Sequence, residues 1–116
     1  MHVVRFLEAP SYMAPGHFEM TMRRLQGREA GASNDLWIGI SVIEPGGGTT
    51  VSSSPEEKLY VVLDGELKLS NGQTTAMLAL WDSCRIAPGE DRQLQNDSTK
   101  PAVVLLAMPL PPGERG

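Results

Sequence analysis

No apolar stretch in this chain runs for long before a glycine, proline, asparagine or aspartate cuts it. The chain holds 12 Gly and 9 Pro in 116 residues, and most fall between short runs of β-branched and aliphatic side chains. Such breakers rule out long helices and leave short strands joined by turns. Leu78 to Trp81 is the one place where a helical turn fits, and nothing extends it. The longest wholly apolar run, Ala102 to Leu110, is nine residues. That is far short of the roughly 20 a membrane helix needs.

The strand pattern can be followed along the chain. Val3 to Leu7 is a candidate first strand, before Pro10, Pro15 and Gly16 break the chain. From His17 to Leu25 the residues alternate, with Phe18, Met20 and Met22 on one side and Glu19, Thr21 and Arg23 on the other. Period two marks a half-buried strand. Gly27 to Asp35 is polar and loop-like. Leu36 to Glu44 is a strong strand with Leu36, Ile38, Ile40 and Val42 on one face, and Pro45-Gly46-Gly47-Gly48 is expected to end it. Leu59 to Leu63 is continuously apolar, as a strand covered on both faces would be. Asp64-Gly65 and Asn71-Gly72 are hairpin signals. Thr74 to Leu80, Ser83 to Ala87, Arg92 to Asn96 and Ala102 to Met108 complete the set, and a Pro- and Gly-rich tail follows. About ten short strands in one small domain make a closed barrel or a sandwich.

Charge and cysteine usage narrow the function classes. With 14 acidic and 10 basic side chains the formal charge is −4, a poor match for a polyanion, so no nucleic-acid partner is expected. No membrane partner is expected either. Cys84 is the only cysteine, which excludes an intrachain disulfide and a thiolate metal cluster. It reads as a small buried hydrophobe. Met1 to Glu8 lacks the long apolar core of a signal peptide, so a cytoplasmic location is expected.

Two stretches resemble the two signature motifs of the cupin superfamily. The first runs from Pro45-Gly46-Gly47-Gly48 through Ser52-Ser53-Ser54 and Glu56-Glu57-Lys58 to Leu59-Tyr60-Val61-Val62-Leu63-Asp64-Gly65-Glu66-Leu67. From Lys58 onward it is similar to the family's E-x-x-Y-V-L-x-G-E block. The second is Trp81-Asp82-Ser83-Cys84-Arg85-Ile86-Ala87-Pro88-Gly89, followed by Arg92 and Asn96. The resemblance covers Pro45 to Asn96 and is closest to small, single-domain cupins of the cupin_2 type. It implies an all-β fold, a double-stranded β-helix or jelly-roll barrel of the RmlC-like kind. The division it implies is one domain over 1–116: an N-terminal arm 1–35, a motif-bearing barrel 36–108 and a tail 109–116.

The resemblance also implies a metal site, with two His, a Glu and a further His converging in the barrel. Carried over by position, those places hold Ser52, Ser54, Lys58 and Arg92. Hydroxyls are weak ligands for Fe, Mn, Ni or Zn, and ammonium and guanidinium groups offer no lone pair. No cofactor is therefore expected, and a divalent metal is disfavoured. His2 and His17 are the only histidines in the chain.

Lys58 and Arg92, if they point inward, put positive charge where the family places a metal. That chemistry suits a small anion such as a carboxylate, with Arg92 as a two-pronged partner and Ser52 and Ser54 as hydroxyl donors. Two buried cations would also lower the Lys58 pKa, fitting it for work as a base or Schiff-base amine. Tyr60 shares strand parity with Lys58 and is a candidate catalytic phenol. His17, after Pro15-Gly16, can overhang the pocket as an acid or base. Tyr12 and Glu57 are weaker candidates.

Each has a plainer reading. Lys58 can run its stem along the barrel mouth with its ammonium in water, and Arg92 can pair with Asp91, Asp82 or Glu90 at the surface. Arg23, Arg24 and Arg28 read as a solvated basic face, Trp37 and Trp81 as core or interface anchors, and Gly46-Gly47-Gly48 as turn chemistry rather than a phosphate loop.

Three functions follow. The first is a metal-independent enzyme moving protons on a small organic acid, of isomerase or lyase type. The second is a non-catalytic module that binds or senses a small anion. The third is a metal-dependent dioxygenase with unconventional ligands, such as His17 with Glu19 or Glu57. A homodimer is expected, both because the resemblance implies one and because a small barrel leaves sheet edges to cover.

Overall fold

The computed structural model describes all 116 residues. Nine strands follow one another: β1 (Ser11–Tyr12), β2 (His17–Gln26), β3 (Leu36–Thr49), β4 (Lys58–Asp64), β5 (Leu67–Ser70), β6 (Thr75–Leu78), β7 (Ser83–Ile86), β8 (Gln93–Gln95) and β9 (Ala102–Pro109). The only helical pieces are three single 3-10 turns, at Phe6–Glu8, Arg28–Ala30 and Pro112–Glu114. The hydrogen-bonded order is β6-β5-β8-β3-β9-β4-β7, with β2 also on β3 and β1 beyond β2. Every pairing is antiparallel. This is the all-β jelly-roll barrel that the sequence leads one to expect.

β3 organises the barrel because it belongs to two layers. Leu36 to Ile43 pair with β9, while Gly48 pairs with Gln95 of β8. The strand thus continues through Pro45-Gly46-Gly47-Gly48, which was expected to end it. The glycines permit the bend rather than a stop. A Cβ at Gly48 would lie 2.2 Å from the Leu94 carbonyl oxygen, and one at Gly47 would lie 2.5 Å from that of Glu19. Only a residue without a side chain lets three backbones meet there.

Period two sets what points inward. β3 buries Trp37, Gly39, Ser41 and Ile43; β4 buries Lys58, Tyr60 and Val62; β9 buries Ala102 and Val104 and half-buries Leu106 and Met108. The more apolar row of β3 is the other one. Leu36 is exposed, Ile38 and Val42 are half-buried and Ile40 is buried at 9% exposure, so this row lines the outer face of the sheet and is partly covered there. The core gathers toward one end of the barrel, around Ile43, Val62, Leu67, Leu69, Ile86, Leu94, Ala102 and Val104. Further along the same strands the inward residues are Gly39, Trp37, Lys58 and Met108, and the filling gives way to a cavity.

Two further expectations need correction. Val3 to Leu7 is not a strand: Phe6–Glu8 is a 3-10 turn, and Arg23 holds it by donating to the Phe6 carbonyl at 2.8 Å. Asn71-Gly72 does turn the β5–β6 hairpin, but Asp64-Gly65 does not join paired strands. β4 already has β7 and β9 on its two edges, so β5 must cross to the other layer and pair with β6 and β8.

Candidate functional site

A cavity of about 220 Å³ opens at the end of the barrel away from the packed core, with Tyr12, His17, Arg24, Trp37, Lys58 and Arg92 in its lining and Leu106 and Met108 as its apolar wall. A larger hollow of about 350 Å³ lies against Leu36, Leu59, Ala107 and Pro109, on the outer face of the sheet. The chemistry concentrates in the smaller one, because that is where the buried cations are.

Lys58 starts β4 and is only 4% exposed; its Nζ donates to Ser54 Oγ at 2.8 Å. The Ser54 hydroxyl in turn donates to the Glu56 carbonyl at 2.8 Å, so it serves to place the ammonium. Arg92 is 5% exposed and immediately precedes β8. Its backbone is fastened to Ser52 by two hydrogen bonds, of 2.8 and 3.1 Å. Its side chain is not fastened in the same way: Nε and Nη1 are buried without any hydrogen-bond partner, and no carboxylate pairs with it. Neither plainer reading applies, since Lys58 does not reach open water and Arg92 forms no surface ion pair. Glu90 is occupied elsewhere, accepting from Asn71 Nδ2 and the Ala87 amide, and these bonds hold its pKa down. Asp82 accepts from the Ala79 amide.

The titrating groups respond to this charge. Burial, helped by the nearby Arg92 guanidinium, lowers the Lys58 pKa. Burial also lowers that of His17, against the bond its Nδ1 makes with the Pro15 carbonyl at 2.9 Å, and Arg92 lowers it further. Tyr60 is pushed up to about 12 by burial, although the Arg92 guanidinium against its hydroxyl works the other way. Its phenol therefore keeps its proton at ordinary pH.

The structure brings Lys58, Arg92 and His17 to one cavity, with Ser54 behind Lys58, while Tyr60 is buried beside Arg92 and is not among the lining residues. Ser52 is exposed and meets Arg92 through its backbone. Glu57 faces outward and pairs with Arg85. Tyr12 lines the cavity, but its ring lies against Arg24.

Arg24 is the residue the sequence reading misplaced. It is 8% exposed, not part of a solvated basic face. Its guanidinium lies 3.5 Å from the Tyr12 ring centroid and 4.1 Å from that of Trp37. The signal was present: alternation from Met20 and Met22 puts Arg24 inside. Arg24 pairs with Gly39 across the sheet, where a Cβ on Gly39 would lie 3.1 Å from the Trp37 ring and 3.4 Å from the Tyr12 hydroxyl. Of the two tryptophans, Trp37 is buried here, whereas Trp81 is 70% exposed.

The metal of the family does not suit these residues. No cluster of three His, Cys, Asp or Glu side chains exists in the chain, and His17 is the only one of those types lining the cavity. Two buried cations would also repel a divalent ion. The donor set fits an anion instead.

No protein-family model matches the chain. It is 40% identical over 114 residues to a protein named Beta-D-galactosidase Rv1717 from Mycobacterium tuberculosis, covering 98% of each. Among solved structures it is similar to the polyketide cyclase RemF of Streptomyces resistomycificus, with a TM-score of 0.82 and 21% identity over 94% of this chain and 79% of that one. A sugar phosphate isomerase of the cupin superfamily from Silicibacter pomeroyi matches with a TM-score of 0.76 and 18% identity, over 94% and 76%. The chain has the fold of the cupin superfamily. The Mycobacterium tuberculosis protein is a relative along almost the whole length.

Proposed function

We propose that this cupin-fold protein binds a small carboxylate-bearing metabolite in the barrel mouth and moves a proton on it without a metal. The observation that carries the reading is the pair of buried, unpartnered N–H groups on Arg92. A guanidinium presents a planar fork that matches a carboxylate, and leaving its donors unmet in a dry site is costly. A bound carboxylate would satisfy an unmet donor on one edge of the guanidinium and offset the repulsion between Arg92 and Lys58. Lys58, with its lowered pKa, then takes a proton from the carbon beside the anionic group and returns it elsewhere on the molecule. Tyr60, still protonated, donates a hydrogen bond to the oxygen on which charge develops.

Two variants test this. Arg92→Met should weaken acetate binding at least tenfold by calorimetry. Lys58→Met should abolish deuterium uptake from D2O at the acidic carbon of a turned-over acid. Unchanged binding in Arg92→Met overturns the reading. Binding with no exchange by the wild-type protein, across a panel of small organic acids, would make this a sensing module instead.

The relative at 40% identity supports a second reading, attack on a β-galactoside. Glycoside hydrolysis ordinarily needs two carboxyl groups roughly 5 to 10 Å apart. No Asp or Glu lines this cavity. Turnover of nitrophenyl β-galactoside that survives Lys58→Met and Arg92→Met would place such hydrolysis outside the barrel mouth.

A further inference from the structure

Carboxylate binding at Arg92 leaves one cavity group without a task. Arg24 sits in the corner between the Tyr12 and Trp37 rings, which meet edge to face, and its Nε donates to Glu29 at 2.9 Å. Its Nη1 is buried with no hydrogen-bond partner. The chain has three buried side-chain polar atoms without a partner: Arg24 Nη1, Arg92 Nε and Arg92 Nη1. All three belong to arginines lining this one cavity. The other ion-paired cations, Arg28, Lys68, Arg85 and Arg115, have more exposed side chains.

Register shows what lies between the two. Arg24 of β2 pairs with Gly39 of β3, Gly39 with Leu106 of β9, and Leu106 with Tyr60 of β4, against which Arg92 sits. One cross-sheet row thus has a cation at one end, a residue with no side chain and an aliphatic one in the middle, and a phenol and second cation at the other end. We infer that the cavity takes a ligand with two anionic ends and a short apolar middle, a small dicarboxylate, with one carboxylate on Arg92 and the other on Arg24. The inference rests on the anion reading of this site and adds its second half. The volume agrees: about 220 Å³ is below the 300 to 1,000 Å³ of pockets for drug-sized molecules. The roles of the two arginines differ. Glu29, half-exposed on the far edge, already partly neutralises Arg24, while Arg92 has no carboxylate. Arg92 is therefore the stronger end and Arg24 the one that selects for length.

The test is calorimetry on the full chain at fixed ionic strength, with acetate and the unbranched dicarboxylates from malonate to adipate. One dicarboxylate length should bind at least tenfold tighter than acetate. Arg24→Met should reduce that length to the level of acetate and leave acetate within threefold of wild type. Arg24→Lys keeps a cation without the planar fork, and should lose at least threefold of the preference if Arg24→Met fails to fold. Trp37 gives an independent signal. With Trp81→Phe as background, its emission should shift with the preferred dicarboxylate and not with acetate. Arg92-dependent acetate binding without preference for any dicarboxylate overturns this inference alone. A preference that survives both Arg24 variants also overturns it. Failure of every anion to bind overturns both it and the anion reading.

Discussion

Arg92 is an expensive residue to keep in a ligand-free barrel. Two unmet buried donors cost about 1–3 kcal/mol each, and the neighbouring Lys58 adds repulsion. Arg92→Met should therefore stabilise the ligand-free protein, by about 1–3 kcal/mol in urea melts, while removing carboxylate binding. Destabilisation instead would mean that the guanidinium serves the fold. Lys58 makes a signed pH statement. Its folded pKa lies below its unfolded one, so between the two the unfolded chain holds the extra proton and stability rises with pH. Lys58→Met should flatten that rise in melts taken across the alkaline range. Binding runs the other way: an anion favours the charged ammonium, so affinity should fall as pH climbs through the folded pKa. Trp81 is a different kind of cost. It lies in the left-handed region at φ 71° and is mostly exposed. Trp81→Gly should raise stability by about 1 kcal/mol, read as an increase in melting temperature.

The strands show where local pattern is sufficient and where it is not. Alternation located β2, and short apolar runs bounded by turn residues located β4, β7 and β9, within a residue or two. Neither signal could say which row of β3 faces in. Leu36, Ile38, Ile40 and Val42 form the more apolar row, yet Trp37, Gly39, Ser41 and Ile43 line the interior. The inner row carries small residues because arginine and aromatic side chains from β1 and β2 need the space. The glycine run likewise reads as a stop until β8 is seen to pack against it. Gly48→Ala should cost about 1–3 kcal/mol by overpacking against the Leu94 carbonyl, measured by chemical denaturation. Asn96, fully buried, ties β3 to the loop before β9 by donating to the carbonyls of Ile43 and Lys100 at 2.9 and 2.8 Å. Its place in the second motif is thus accounted for by the fold.

The whole molecule has an outer face that the monomer leaves partly open. Ile38 pairs with Ala107, Ile40 with Leu105 and Val42 with Val103, while Leu59 and Val61 of β4 continue the rows beyond β9. Leu36 and Leu59 are exposed, next to the outer hollow. An apolar surface of this kind ordinarily marks an interface. The open sheet edges that first argued for a dimer are secondary to it. Sedimentation should give twice the chain mass, and Leu105→Glu should shift it to a monomer that remains folded by circular dichroism. A wild-type monomer at all concentrations would end the idea.

The sequence by itself determined the class of fold and most strand positions, and it singled out Lys58 and Arg92, which stand where the resemblance implies metal ligands. Those features live in short-range pattern and motif spacing, which do not depend on what lies across the barrel. Tertiary structure alone decided which face of β3 is inside, that β3 runs through its glycines, and that Arg24 joins Arg92 in one cavity. Each of those depends on residues far apart in the chain meeting across strands, and burial of a charge has no signature in the residue that carries it.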